Sequence, residues 1–171
     1  MAISSPRRAI EDDAAALIPL FCSGQEGIHL KSHVCSPERY PDLLRWMKQK
    51  CASSLVWTIN EESYPIGMLV LDGRVRVMIQ YVVVAKNFRG KRMIGPALVT
   101  HVQSLDDIVS LRAEARNDYS ERMLMNCGFH RTDESVCGYP ILSWERAVRK
   151  TRPRRAKARL AFRRLNDEGT T

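Results

Sequence analysis

The residues whose types and spacing could do chemistry are concentrated in one stretch, Arg89-Gly90-Lys91-Arg92-Met93-Ile94-Gly95. Three cations and two glycines there follow an uncharged, β-branched and aromatic run, Ile79 to Val84, with the composition of a buried strand. Beyond them Met93, Ala97, Leu98 and Val102 recur at helical intervals. A strand that turns through glycines into a helix start presents free backbone N–H groups and the positive end of the helix dipole. Phosphate oxygens suit that place, and Arg89, Lys91 and Arg92 add full charges to it. Candidate proton-transfer groups are sparser. No acid lies between Gly73 and Phe88, so Glu114, on the neighbouring strand, is the nearest credible carboxylate, with Tyr81 and Tyr119 as hydroxyls and Gln80 as a group able to orient water.

Two segments together resemble the GNAT acetyltransferase superfamily. Arg92-Met93-Ile94-Gly95-Pro96-Ala97 satisfies the pattern R/Q-x-x-G-x-G/A, and Arg89, Gly90, Lys91 and Gly95 match its R-G-K-G-x-G wording with one additional residue. Downstream, the strand-like Leu111 to Ala115, then Asn117, then Met125-Asn126-Cys127-Gly128-Phe129 are similar to the family's closing pattern. The resemblance covers about residues 7–144. It implies acetyl-coenzyme A as acyl donor and no metal. Its pantetheine arm would lie along the main chain of Val82, Val83 and Val84, and its phosphates and adjoining groups against Arg89, Gly90, Lys91, Arg92, Ile94, Gly95, Ala97 and Asn117. The implied reaction is transfer of acetyl to a primary amine, of a small molecule or a protein, by direct attack within a ternary complex. Two positions depart from the family pattern. Leu124 stands where relatives commonly carry the tyrosine that reprotonates the thiolate, and Met78 stands roughly where they place a glutamate. Glu114 as base and Tyr119 as acid are the remaining catalytic candidates. The rival expectation is a GNAT-like protein with altered chemistry, acting as a nucleic-acid-associated binding component or a nucleic-acid-modifying enzyme.

The elements that must position these residues are legible from pattern. Arg7 to Ile10 reads as a short strand, and Asp12-Asp13 as the cap of a helix from Ala14 to Phe21 that Pro19 bends or shortens. Ser36 or Pro37 opens a second helix ending near Cys51. Strands are expected over Leu55 to Ile59, Ile66 to Leu71 and Val75 to Val84, with Asp72-Gly73 as a hairpin turn. A helix to Ser104, a strand from Ile108 to Ala115, a short helix from Ser120 to Asn126 and a closing hairpin, Phe129 to Val136 with Tyr139 to Trp144, complete the list. The class is therefore α+β: a mixed, mainly antiparallel sheet flanked by helices on both faces.

At 171 residues the chain has the size of one domain. The expected division is 1–144 as the acetyltransferase-like domain and 145–171 as a basic tail, helical or disordered. The net charge of +8 resides almost wholly in that tail, which carries ten Lys and Arg against three acids. Residues 149–165 could meet nucleic acid or an acidic partner through charge, or help solubility or a homodimer contact. His29 and His33, with Cys35, could be imagined as metal ligands, but Gly24, Gly27 and Pro37 disfavour a helix there and no second pair follows. Five cysteines without a Cys-x-x-Cys pair and no leader-like start point to free thiols in a reducing cytoplasm. No apolar run reaches the roughly 18 residues of a membrane span.

Overall fold

The computed structural model describes residues 2–24, 35–73, 77–90 and 93–147. Lys91, Arg92, His29, His33 and the basic stretch 149–165 lie outside these residues. Among the described residues seven strands form one sheet: β1 (Arg7–Arg8), β2 (Val56–Glu61), β3 (Tyr64–Asp72), β4 (Met78–Val84), β5 (Ser110–Glu114), β6 (His130–Val136) and β7 (Tyr139–Glu145). Their spatial order is β1-β2-β3-β4-β5-β7-β6. Every neighbouring pair is antiparallel except β4 with β5. Among the described residues four α-helices connect them: α1 (Ala14–Gly24), α2 (Tyr40–Ala52), α3 (Ile94–Ser104) and α4 (Asp118–Asn126). The α+β class, with a mixed and mainly antiparallel sheet, is the one expected.

Period-two alternation in the central strands sorts side chains onto two cores. Trp57, Ile59, Leu69, Leu71 and Ile79 face α3 and α4, where they bury Leu98, Val102 and Leu124. Val56, Met68, Val70 and Val83 face the other way and bury Leu17 and Phe21 of α1 with Leu43 and Met47 of α2. Each fully buried aliphatic side chain contributes about 1.5–3 kcal/mol relative to exposure, so β2 and β3, buried on both faces and apolar there but for Thr58 and Asn60, anchor the domain. Close approach of helix to sheet depends on two glycines. A Cβ on Gly24, at the end of α1, would stand 2.6 Å from Val83, and one on Gly67 in β3 would overlap Ile94 at the start of α3.

Several boundaries differ from expectation for local reasons. Helix α1 continues through Pro19 to Gly24: the proline forfeits one backbone hydrogen bond, and burial of Leu17, Ile18, Leu20 and Phe21 around it offsets that loss. Only Arg7 and Arg8 of the first strand pair with β2, at Thr58 and Trp57. Strand β2 runs two residues past Ile59 and turns at Glu62, which takes a positive φ of 55°. Asp13 closes the entry to α1 by accepting from the Ile10 N–H and pairing with both ends of the Arg7 guanidinium at 2.8 Å. That pair holds the Asp13 carboxyl below its ordinary range.

Candidate functional site

The site originates where β4 and β5 part. Their parallel pairing joins Met78 to Arg112 and Ile79 to Ala113, and β4 then continues to Val84 while β5 ends at Glu114. The β3–β4 register shifts between Val70 and Leu71, leaving Gln80 as the extra residue of a bulge. After the bulge, Ala85 N–H donates to Ile66 O at 2.8 Å. Strand alternation then turns the Val83 backbone toward β3 and those of Val82 and Val84 away from it, into the gap. Val82 thus offers its main-chain groups, and Val84 its N–H, to a ligand lying along β4, while the Val84 carbonyl accepts from Arg89. Val83 differs from its two neighbours: it borders the cleft, but its backbone is turned to Met68 and its side chain is buried under α1.

At the end of β4 the chain passes through a 3-10 turn, Lys86–Phe88, and enters α3 at Ile94. Ile94 and Gly95 supply first-turn N–H groups that no helical carbonyl can reach. Pro96, next in the turn, has none, and the N–H of Ala97 closes on Met93 O at 2.8 Å. Ala97 is therefore helix backbone with a side chain against the core, and Ile94 is buried with only its N–H turned outward. A Cβ on Gly95 would lie 2.8 Å from Met123 Sδ, 3.7 Å from Val84 and 3.8 Å from Val82, so glycine here keeps the floor of the gap open. Gly90 takes φ 72° and Met93, 69% exposed, φ 52°. The left-handed position before the helix is thus held by a non-glycine residue. Arg89 is at the rim, but its Nε donates to Val84 O at 2.9 Å and an Nη to Ser23 O at 3.2 Å. It ties the end of α1 to the end of β4.

A cleft of about 680 Å³ runs from this turn between β4 and β5 and is floored by Val82, Val84, Gly95, Met123 and Leu124. Such a volume matches a small-molecule site. Leu124 is 3% exposed, and an apolar side chain occupies the position where the resemblance expects a proton donor. Asn117 is the N-cap of α4. Its Oδ1 accepts from Ser120 N at 2.8 Å, and Ser120 Oγ donates back to Asn117 O. Its side chain borders the cleft while doing this capping work. Tyr119 stands exposed at the cleft edge.

On the opposite wall lie Glu114 and Tyr81. Ala113 and Ala115 are buried under α3 and α4, so alternation presents Glu114 and Arg116 on the other face of β5. Arg116 Nε donates to Glu114 Oε1 at 2.8 Å, and both side chains line the cleft. Tyr81 packs edge-on against Phe21, with ring centroids 5.0 Å apart, and near Trp46 at 6.3 Å. Burial raises the Tyr81 hydroxyl pKa, Arg116 opposing and Glu114 adding to the shift. It stays protonated through the neutral range, fit to donate and unfit to act as a base. Sequence reasoning missed Arg116, Met123 and Gly24. Arg116 could have been found from its i+2 spacing to Glu114 on a strand; nothing local marks Met123 as the neighbour of Gly95.

The arrangement was then compared with known proteins. No protein-family model and no curated sequence matches the chain. Solved structures do. PaiA N-acetyltransferase from Thermoplasma acidophilum, in complex with coenzyme A, superposes with a TM-score of 0.67 at 17% identity over 85% of this chain and 100% of its own. The chain has the GNAT acetyltransferase fold. A GNAT-family acetyltransferase from Bacillus cereus gives 0.64 at 14% identity, covering 85% of this chain and 99% of its own. A ribosomal-protein-alanine N-acetyltransferase from Brucella melitensis gives 0.65 at 19% identity, covering 84% and 100%. On this GNAT scaffold the β4–β5 gap and the Gly95 turn are the features that could take an acyl donor.

Proposed function

We propose that this protein is a GNAT-superfamily, acyl-coenzyme A-dependent N-acetyltransferase that transfers acetyl to a primary amine by direct attack in a ternary complex. The observation that carries the reading is the second half of β4, which pairs with β3 on one edge and with no strand of the described residues on the other. Val82 and Val84 turn their backbone groups into a cleft that ends at the N–H groups of Ile94 and Gly95. An extended amide-bearing arm can add to β4 as a strand would, and a pyrophosphate finds the first-turn N–H groups of a helix whose second residue, Gly95, carries no side chain.

In the reaction the amine nitrogen attacks the thioester carbonyl, the carbon–sulfur bond breaks, sulfur departs as thiolate, and the amine proton passes to a base. This chain's residues bear on three of these needs. The bulge at Gln80 turns backbone and side chain toward the point where the strands part, where a carbonyl oxygen needs a donor. Glu114, with Oε1 held by Arg116, keeps its second oxygen for the ammonium or its proton. Tyr81 and Tyr119 are the hydroxyls on the cleft wall and edge. Leu124 cannot reprotonate sulfur, and a thiolate, far less basic than an alkoxide, leaves without help. The same buried Leu124 is the observation that favours the second reading, a GNAT-like protein that binds the donor without turnover. Release of free thiol from acetyl-coenzyme A, followed with a chromogenic disulfide across a panel of primary amines, tests the proposal. Acceptor-dependent thiol release supports transfer; donor binding with no release for any amine supports the second reading.

A further inference from the structure

The acceptor wall of the cleft contains a pairing that selects for a substrate class. Arg116 is fixed at one nitrogen only: its Nε reaches Glu114 Oε1 at 2.8 Å, and among the described residues Nη1 and Nη2 have no protein partner. The side chain is 47% exposed, against 14% for Glu114, and the exposed part borders the cleft. Arg112, two positions before Glu114 in the same row, is different; its guanidinium pairs with Glu134 outside the cleft. The row therefore places one oriented, open guanidinium fork beside one carboxylate oxygen, facing Tyr81 across the gap. A planar fork of two parallel N–H groups pairs bidentately with a carboxylate, as it does with a phosphate, and a carboxylate is the anion an amine of small size carries most simply.

We propose that the acceptor is an amino carboxylate, a small amine carrying a free carboxylate group. Arg116 binds its carboxylate, and the Glu114–Arg116 pair determines specificity. The inference rests on the acetyltransfer reading and names the substrate class of that same site. Glu114 serves two roles: it orients the guanidinium and receives the ammonium end. Asp72 lies farther along the cleft and is held by Lys50 Nζ at 2.8 Å, so it does not compete for the fork. Tyr81, protonated at neutral pH because of its burial, adds no negative charge opposite the bound carboxylate.

The test compares L-amino acids with their carboxamides and with the matching decarboxylated amines, by thiol release and by ligand-observed NMR on the protein saturated with coenzyme A. The amine of a carboxamide is less basic and more often neutral, so intrinsic reactivity favours it; a preference for the free acid must come from the site. Wild-type protein is expected to favour the carboxylate compounds. Arg116→Gln is expected to lose about 10- to 100-fold in kcat/KM for them, mainly through KM, as removal of a charge-assisted pair does. Arg116→Lys is expected to recover part of the loss, with acetyl-coenzyme A affinity unchanged in both variants. Equal binding or turnover of acids, amides and amines by the wild type overturns the proposal and leaves the acetyltransfer reading standing. So does an equal loss for all three classes in Arg116→Gln. If NMR shows the acids binding in preference while no acceptor releases thiol, the recognition proposal holds and the acetyltransfer reading fails.

Discussion

Replacing Gly95 by alanine separates the role of this position in the fold from its role in binding. The new Cβ would stand 2.8 Å from Met123 Sδ, closer than such atoms approach, and 3.7 and 3.8 Å from Val84 and Val82. Met123 is a flexible, unbranched side chain that can swing aside, so the fold loses little. Alanine also gains up to about 1 kcal/mol over glycine within a helix. Thermal stability of Gly95→Ala should accordingly stay within about 1 kcal/mol of wild type. The ligand has no such freedom. The added methyl and the displaced thioether both enter the floor of the cleft, and overfilling a formed site costs about 1–3 kcal/mol. With 1.4 kcal/mol per factor of ten, that is a loss of roughly 5- to 150-fold in acetyl-coenzyme A affinity. Calorimetric titration beside differential scanning fluorimetry reads both quantities. The double variant Gly95→Ala/Met123→Ala should regain part of the affinity. Gly95→Glu, which adds length and a negative charge beside the helix start, should abolish binding. A stable Gly95→Ala protein with wild-type affinity would refute the placement of the donor over Gly95.

Three other outcomes follow from the same structure. Met93 holds φ 52° while exposed, and a left-handed non-glycine residue costs about 1–2 kcal/mol, so Met93→Gly should raise Tm by a few degrees after the entropy penalty of glycine is subtracted. Burial pushes the Cys51 thiol up to about 11 and raises Cys127 as well, whereas Cys137 is exposed. Mass spectrometry of iodoacetamide-treated native protein should therefore find Cys137 modified first and Cys51 last. Asp13 has a folded-state pKa below its ordinary value of about 3.9, so the stability it contributes with Arg7 is complete above about pH 5 and is lost as pH falls through the folded-state value. Arg7→Gln, at a pair largely open to solvent, should cost no more than about 1 kcal/mol at pH 7, and denaturant midpoints of wild type and variant should converge by about pH 2.

Much of the scaffold was legible because its signals are local. The uncharged Ile79–Val84 run and the glycine-bearing entry to the helix at 94 each announce themselves in a window of a few residues, whereas the expected turn after Asp72 runs into residues 74–76, outside those described. What alternation could not supply was pairing. It placed Val82, Val83 and Val84 on one strand, but which of them turns its backbone to the gap depends on the β3–β4 register and the bulge at Gln80, a long-range property. The same limit applies to charged side chains. Arg89 reads as a phosphate ligand from its neighbours in sequence, and in the structure it is bonded to carbonyls of Val84 and of Ser23, 66 positions away. Glu114 was visible as a carboxylate on a strand, but its meaning changes with Arg116 beside it. Leu124 was identified from the sequence as a departure from the family pattern; burial at 3% shows that the position is now part of the apolar floor.

The central claim, that the acyl donor lies along β4 and ends at the α3 entry, is tested most directly by amide NMR during titration with acetyl-coenzyme A. The account predicts saturable shifts at the Val82, Val84, Ile94 and Gly95 amides, with a smaller response at Val83, whose N–H is turned to β3. Free coenzyme A should move the same set. Shifts confined to other elements, or none at millimolar ligand, would contradict the claim and leave a GNAT fold without its donor site.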